Sequence, residues 1–149
     1  MRAVIQRVKK ACVRVDNEIK GEIDSGILVF LGIGKNDGQE DIQYLVDKIV
    51  NLRIFEDKEG KMNLSAFDLD KELLIVSQFT LYGDCRKGRR PGFFTAAPPD
   101  KAMGLYENFL EKAAETGLRV ASGQFQAVME VELINDGPVT LLLDSKKEF

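Results

Sequence analysis

The residues of this chain that could do chemistry gather in two short stretches. In Leu73-Leu74-Ile75-Val76-Ser77-Gln78-Phe79-Thr80-Leu81-Tyr82, an apolar run leads into a hydroxyl, an amide, an aromatic ring and a second hydroxyl. A buried strand that delivers Ser77, Gln78, Phe79 and Thr80 to one place can hold a small polar ligand accurately. The same pattern also suits a strand that simply leaves the core, since most polar strand ends meet water. The second stretch, Asn135-Asp136-Gly137-Pro138-Val139-Thr140, sets turn-forming residues between two apolar runs. A hairpin link is the plain reading, and Asp136-Gly137 fits it. Pro138, however, removes a donor and biases Gly137 toward extended geometry. Its peptide bond can be cis at a cost of only ~0.5–1 kcal/mol, so both isomers stay open. Such a turn can present two carbonyl oxygens side by side, facing outward.

The sequence contains no histidine. That excludes Ser-His and Cys-His nucleophilic pairs and any histidine-ligated metal. Hydrolysis here needs another source of proton transfer or electrostatic stabilisation. Cys12 and Cys85 belong to no metal-ligand pattern and read as reduced thiols. Gly32-Ile33-Gly34-Lys35-Asn36-Asp37-Gly38 lies where a dinucleotide fingerprint would, but Asp37 takes the place of its third glycine and would repel a pyrophosphate. Glu56, Asp57 and Glu59 lack the spacing of a calcium loop. No metal and no cofactor are expected.

A net charge of −3 argues against broad, non-specific nucleic-acid binding. Arg86, Lys87, Arg89 and Arg90 nevertheless form a compact basic cluster. It is either a solvated loop or a set of phosphate contacts. Its place just after the Ser-Gln-Phe-Thr strand favours the second.

These groups need elements to position them. A length of 149 residues with 44% apolar and 30% charged residues suits one soluble domain over residues 1–149. No run approaches a membrane span, and Arg7, Lys9 and Lys10 interrupt any leader-like start, so the expected location is the cytoplasm. Residues 2–8 predict a strand. Residues 11–16 and 18–24 predict a hairpin around Asp16-Asn17, with Val13, Val15, Ile19 and Ile23 at alternate positions. The run Ile27 to Ile33 predicts a buried strand. Asp37 is expected to cap a helix, with Glu40 three residues on, and Ile42, Leu45, Val46, Ile49 and Val50 share one face. A second helix is expected from Pro98-Pro99, burying Ala102, Leu105, Tyr106, Phe109, Leu110 and Ala113 and ending at Gly117. Strands over 118–121, 128–134 and 139–144 complete the chain. Strands with hairpin-like links and two helices predict a mixed, largely antiparallel α/β fold rather than a doubly wound one.

Taken together, Ser-Gln-Phe-Thr at 77–80 and Asn-Asp-Gly-Pro-Val-Thr at 135–140 resemble the two signatures of the D-aminoacyl-tRNA deacylase (D-tyrosyl-tRNA(Tyr) deacylase) family. The likeness extends to Met1-Arg2-Ala3-Val4-Ile5-Gln6-Arg7-Val8, to Val50 through Phe55, to Lys87-Gly88 and Arg90-Pro91, to Ala96-Ala97-Pro98 and to Leu105-Tyr106. The resemblance implies a three-layer α/β/β fold, with two main helices against curved, barrel-like sheets. It implies hydrolysis of D-aminoacyl-tRNA, and of mischarged glycyl-tRNA, by a catalytic segment Ser77, Gln78, Phe79 and Thr80. It implies a homodimer in which the Gly137-Pro138 turn, steadied by Arg7, selects chirality in the partner's active site. Phe125 and Met129 would line a pocket for the terminal adenosine, although core packing is the reading their residue types alone favour. Arg86, Lys87, Arg89 and Arg90 would meet tRNA. The sequence departs from the family's Phe-Gly-Ala-Asp-Met pattern at Gln126 and Val128, and from its usual Asn and Ser at Arg89 and Gly92. Two mechanisms compete: Thr80 as a covalent nucleophile without a histidine base, or water activated with help from the ribose 2′-hydroxyl, which is favoured. A rival class is a binding module that grips an RNA 3′ end or a small ligand without chemistry.

Overall fold

The computed structural model describes residues 1–148. One strand organises it. β1 (Arg2–Val15) pairs antiparallel with β2 (Glu18–Ile23), with β3 (Gly26–Gly32) and with β8 (Glu130–Asp144). The two expected strands at 2–8 and 11–16 are thus a single bent strand, and so are those at 128–134 and 139–144. The β1–β2 hairpin turns through Asp16 and Asn17, both with positive φ, as a tight right-twisting turn demands. Ile19 is 50% exposed, because a register shift between Val13 and Arg14 breaks the alternation that would have buried it.

The parallel half of the sheet follows from two crossovers. α1 (Gln39–Asn51) joins β3 to β6 (Glu72–Ser77), and α2 (Pro99–Ala114) joins β6 to β7 (Val120–Ser122). Both strand pairs are parallel, which is what a helical crossover permits and a short turn does not. A small antiparallel pair, β4 (Phe55–Glu56) and β5 (Met62–Leu64), flanks the charged turn at Asp57–Gly60. At the other rim β2 comes against β7, where a Cβ on Gly21 would stand 2.4 Å from the Ser122 carbonyl oxygen. The sheet therefore curls into a nearly closed barrel. The fold is mixed α/β with two helices on one face.

The continuous apolar runs of β3 and β6 are explained by this layering. Ile27, Val29, Leu31, Leu73 and Ile75 pack against Ile42, Leu45, Ile49 and Phe109 of the helices. The alternate residues Leu28, Leu74 and Val76 join Val8, Ala11 and Val13 in a second core inside the curl. Each strand is thus buried on both faces. α1 is capped differently from expectation. Gly38 is the N-cap, and its N–H donates to Asp41 at 2.9 Å. Asp37 is instead buried and receives the Met1 ammonium at 2.7 Å and the Gly34 N–H at 2.6 Å. The positive φ of Gly117 closes the segment after α2, as expected.

Candidate active site

β6 does not run through to Tyr82. It ends at Ser77, and Phe79–Tyr82 form one turn of 3-10 helix. The Gln78 N–H still donates to the Leu31 carbonyl at 2.8 Å, so the sheet holds the segment up to its bend. Beyond the bend the chain is braced by residues at its own start. Arg2 donates to the Leu81 carbonyl at 3.3 Å and lies 4.7 Å over the Tyr82 ring. The Tyr82 hydroxyl reaches Asp37 at 3.3 Å. Burial, then the Asp37 charge, pushes the Tyr82 phenol above its ordinary range, so it stays a neutral donor.

This bend opens on a cleft of about 640 Å³. Ser77, Gln78 and Phe79 form one wall, and Phe93, Phe125 and Met129 line it as well. The Phe93 ring stands edge-on to Phe79, with centroids 5.1 Å apart. Tyr106 backs Phe125 at 5.8 Å between centroids and donates to the Ile75 carbonyl at 2.7 Å. Burial pushes its hydroxyl up to about 12. Thr80 does not line the cleft. It is exposed, and its hydroxyl oxygen accepts a hydrogen bond from the Gln78 amide. Gln126 lines the cleft with a φ of +60°, a left-handed conformation in which glycine would be at ease and a side chain costs ~1–2 kcal/mol. Val128 is 91% exposed.

The basic cluster lies beside this cleft, in a loop whose neck is a pair of backbone hydrogen bonds between Asp84 and Gly92, at 2.7 and 3.0 Å. Arg86 grips the Asp84 carboxylate at 2.9 and 2.7 Å and holds it well below the usual carboxylate range. Lys87, Arg89 and Arg90 are exposed.

The Asn135–Thr140 stretch is neither a hairpin nor near the cleft of its own chain. It is an excursion in the middle of β8. Gln6 pairs with Thr140 and Val8 with Asn135, so β8 spends extra residues there and pushes Gly137 and Pro138 outward, where both are exposed. The Gly137–Pro138 bond is cis. Buried Arg7 fixes the excursion. Its Nε lies 3.0 Å from the Asp136 carbonyl oxygen and 3.2 Å from the Asp136 carboxylate, and its other end donates to the Ile54 carbonyl. The Asn135 amide closes the neck, donating to the carbonyls of Arg7 at 3.0 Å and Val139 at 3.2 Å. Across the sheet Arg7 pairs with Ile27, and Ile27 with Leu73. The excursion is therefore on the order of 13 Å along the strands from Ser77, and three strands over.

The sequence pattern described as D-Tyr-tRNA(Tyr) deacylase matches residues 4–144. The chain belongs to this family. It is 66% identical over 149 residues to the D-aminoacyl-tRNA deacylase of Halothermothrix orenii, and 60% identical to that of Clostridioides difficile, covering all of each chain. Among solved structures, the c-Myc DNA unwinding element binding protein superposes with a TM-score of 0.91 at 44% identity, over 97% of this chain and 98% of that one. A probable eukaryotic D-amino acid tRNA deacylase shares the fold, with a TM-score of 0.82 at 20% identity, covering 95% and 97%.

In this deacylase-family chain the structure brings Ser77, Gln78, Phe79, Phe125 and Met129 to one cleft, and leaves Gly137, Pro138 and Arg7 at another place. Sequence reasoning missed Phe93, whose only signal is its place beside the basic cluster. It also missed the Met1–Asp37–Tyr82–Arg2 brace behind the 3-10 turn. Among the described residues no three acidic or cysteine side chains converge as a metal-ligand set, both cysteines are free, and no helix is long and apolar enough to cross a membrane.

Proposed function

We propose that this protein hydrolyses the ester joining a D-amino acid to the 3′-terminal ribose of tRNA, releasing both, and so removes wrong-handed amino acids from translation in the cytoplasm. The observation that carries this reading is the cleft, in which a hydroxyl-and-amide strand end shares about 640 Å³ with Phe93, Phe125 and Met129. Rings and a thioether suit the face of a terminal adenine. A ribose seated there brings its ester toward residues 77–80. Lys87, Arg89 and Arg90 take phosphates of the incoming strand.

An aminoacyl ester is already activated, so positioning a water and stabilising the tetrahedral oxyanion suffice. The Phe79 and Thr80 N–H groups open a helical turn and have no acceptor within it; they are the oxyanion donors. Thr80 holds the Gln78 amide, which supports a positioning role over a nucleophilic one, and no histidine exists to serve it as a base. The tRNA 2′-hydroxyl therefore helps to activate the water.

Chirality is read by main chain. The distance between the Gly137-Pro138 corner and its own cleft supports a homodimer in which each corner enters the partner's site. Its carbonyl oxygens hold the substrate α-ammonium. An L side chain then collides with backbone while a D side chain points outward, and a thousandfold rejection needs only ~4 kcal/mol. Glycyl esters have no side chain to collide and pass.

Incubation with D-tyrosyl-tRNA and L-tyrosyl-tRNA tests the reading. The D-ester is cleaved and the L-ester survives. A binding module would cleave neither, and a general esterase both.

A further inference from the structure

Phe93 and Phe94 are neighbours in sequence but serve different cavities. Phe93 lines the catalytic cleft. Phe94 lines a separate groove of about 540 Å³ together with Asp84, Arg86, Lys87, Arg90 and Gly92. Its ring is 84% exposed, which is costly for an aromatic side chain that the core could have taken. One edge of the ring comes close to residue 92, which glycine permits. A Cβ there would stand 3.0 Å from the ring's Cε2 and 3.2 Å from Cδ2. The only acidic side chain of the groove, Asp84, is neutralised by Arg86, so the charge that Lys87 and Arg90 present is positive. A flat, exposed ring among cations beside a nucleoside-sized cleft is the construction of a single-strand stacking site.

We infer that Phe94 is a stacking platform for the base that precedes the terminal adenosine of the tRNA 3′ end, with Lys87 and Arg90 at the adjoining phosphate. The inference rests on the deacylase reading for the identity of the strand. It also assigns a use to Gly92, one of the positions where this chain departs from its family's usual residue. A serine at 92 would press its Cβ against the ring edge at 3.0 Å and shift the ring.

The test uses a short oligoribonucleotide ending in CCA, with 2-aminopurine replacing the base before the terminal adenosine. The wild-type protein quenches the probe. Phe94→Ala loses most of the quench and weakens binding about tenfold, within the range for one stacked base, while Phe94→Tyr keeps both. An unaltered quench in Phe94→Ala overturns the inference. In parallel, the ratio of kcat/KM for D-tyrosyl-tRNA to that for D-tyrosyl-adenosine falls about tenfold in Phe94→Ala, since the small substrate lacks the stacked base. An unchanged ratio overturns it as well. If the wild type hydrolyses neither ester but the quench still depends on Phe94, the deacylase reading falls and the platform stands.

Discussion

At residues 77–80 the polar groups stand at the end of a buried strand and open to solvent, whereas at 135–138 they interrupt a strand in its middle and are tied down by a buried arginine. The first region is held from behind, by the sheet at Gln78 and by Arg2 and Tyr82 beyond it. Its Gln78 amide engages Thr80 of the same turn. The second has little freedom, because Arg7 and Asn135 engage it on both sides. This division suits two tasks. Hydrolysis of an activated ester needs donors already held where the oxyanion will develop. Rejection of a mirror image needs a wall that does not yield. Since the two regions lie far apart in one chain, they can cooperate only between two chains.

The comparison breaks first at the substrate. Removing the 2′-hydroxyl of the terminal ribose should lower hydrolysis of D-tyrosyl-tRNA by about a thousandfold, whereas Thr80→Ala should cost less than about tenfold, both read as single-turnover rates. Acyl transfer to Thr80, seen as a mass increase on the protein, would instead make the exposed segment the nucleophile.

Arg7→Met tests the rigid region. It strands the Ile54 and Asp136 carbonyl oxygens and should lower unfolding stability by about 2–4 kcal/mol in urea. The surviving folded protein should hydrolyse L-tyrosyl-tRNA measurably. A subtler probe is Gly137→Ala, whose Cβ would stand 2.9 Å from the Asn135 side-chain oxygen and 3.0 Å from the Val139 nitrogen. The corner must shift by a few tenths of an ångström, and discrimination between D- and L-esters should fall about tenfold, a difference of ~1.4 kcal/mol.

These contrasts were only partly legible in the sequence. The β3 run and the α1 face were readable because burial on two faces and helical spacing leave period signals that residue types carry directly. The full lengths of β1 and β8 were not, because the exposed pair Lys9-Lys10, where β1 shifts register against β8, and the excursion at Asn135–Thr140 reset the alternation. Each reset looks like a turn. Ser77, Gln78 and Phe79 were readable as a polar strand end, but their bend into a 3-10 turn depends on Arg2 and Asp37, more than forty residues away. Asp37 looked like a cap because a carboxylate before a helix usually is one. Here the buried Met1 ammonium claims it.

The smallest expected effect concerns the framework behind the 3-10 turn at Phe79–Tyr82. Burial opposes ionisation of Asp41, but hydrogen bonds from Lys146, Ser145 and Gly38 outweigh it and bring its carboxyl down to about 2. A depressed folded-state value stabilises the protein above the ordinary carboxylate range. That contribution is lost as pH falls from about 4 toward 2. Asp41→Asn should flatten this acid limb of the stability curve, measured as urea midpoint against pH, and leave the midpoint's trend above pH 5 unchanged.

The central claim is that one chain's corner completes the other chain's cleft. Mixing subunits tests it most directly. Gln78→Ala damages the cleft, and Gly137→Trp, whose bulky side chain would block the site that the corner completes, disables the corner. In a mixed dimer one of the two sites joins an intact cleft to an intact corner. After denaturation and joint refolding at equal amounts, kcat/KM for D-tyrosyl-tRNA should rise to about a quarter of the wild-type value, as two-fold symmetry and random pairing require. Activity no greater than the average of the two variants refolded separately would contradict the account.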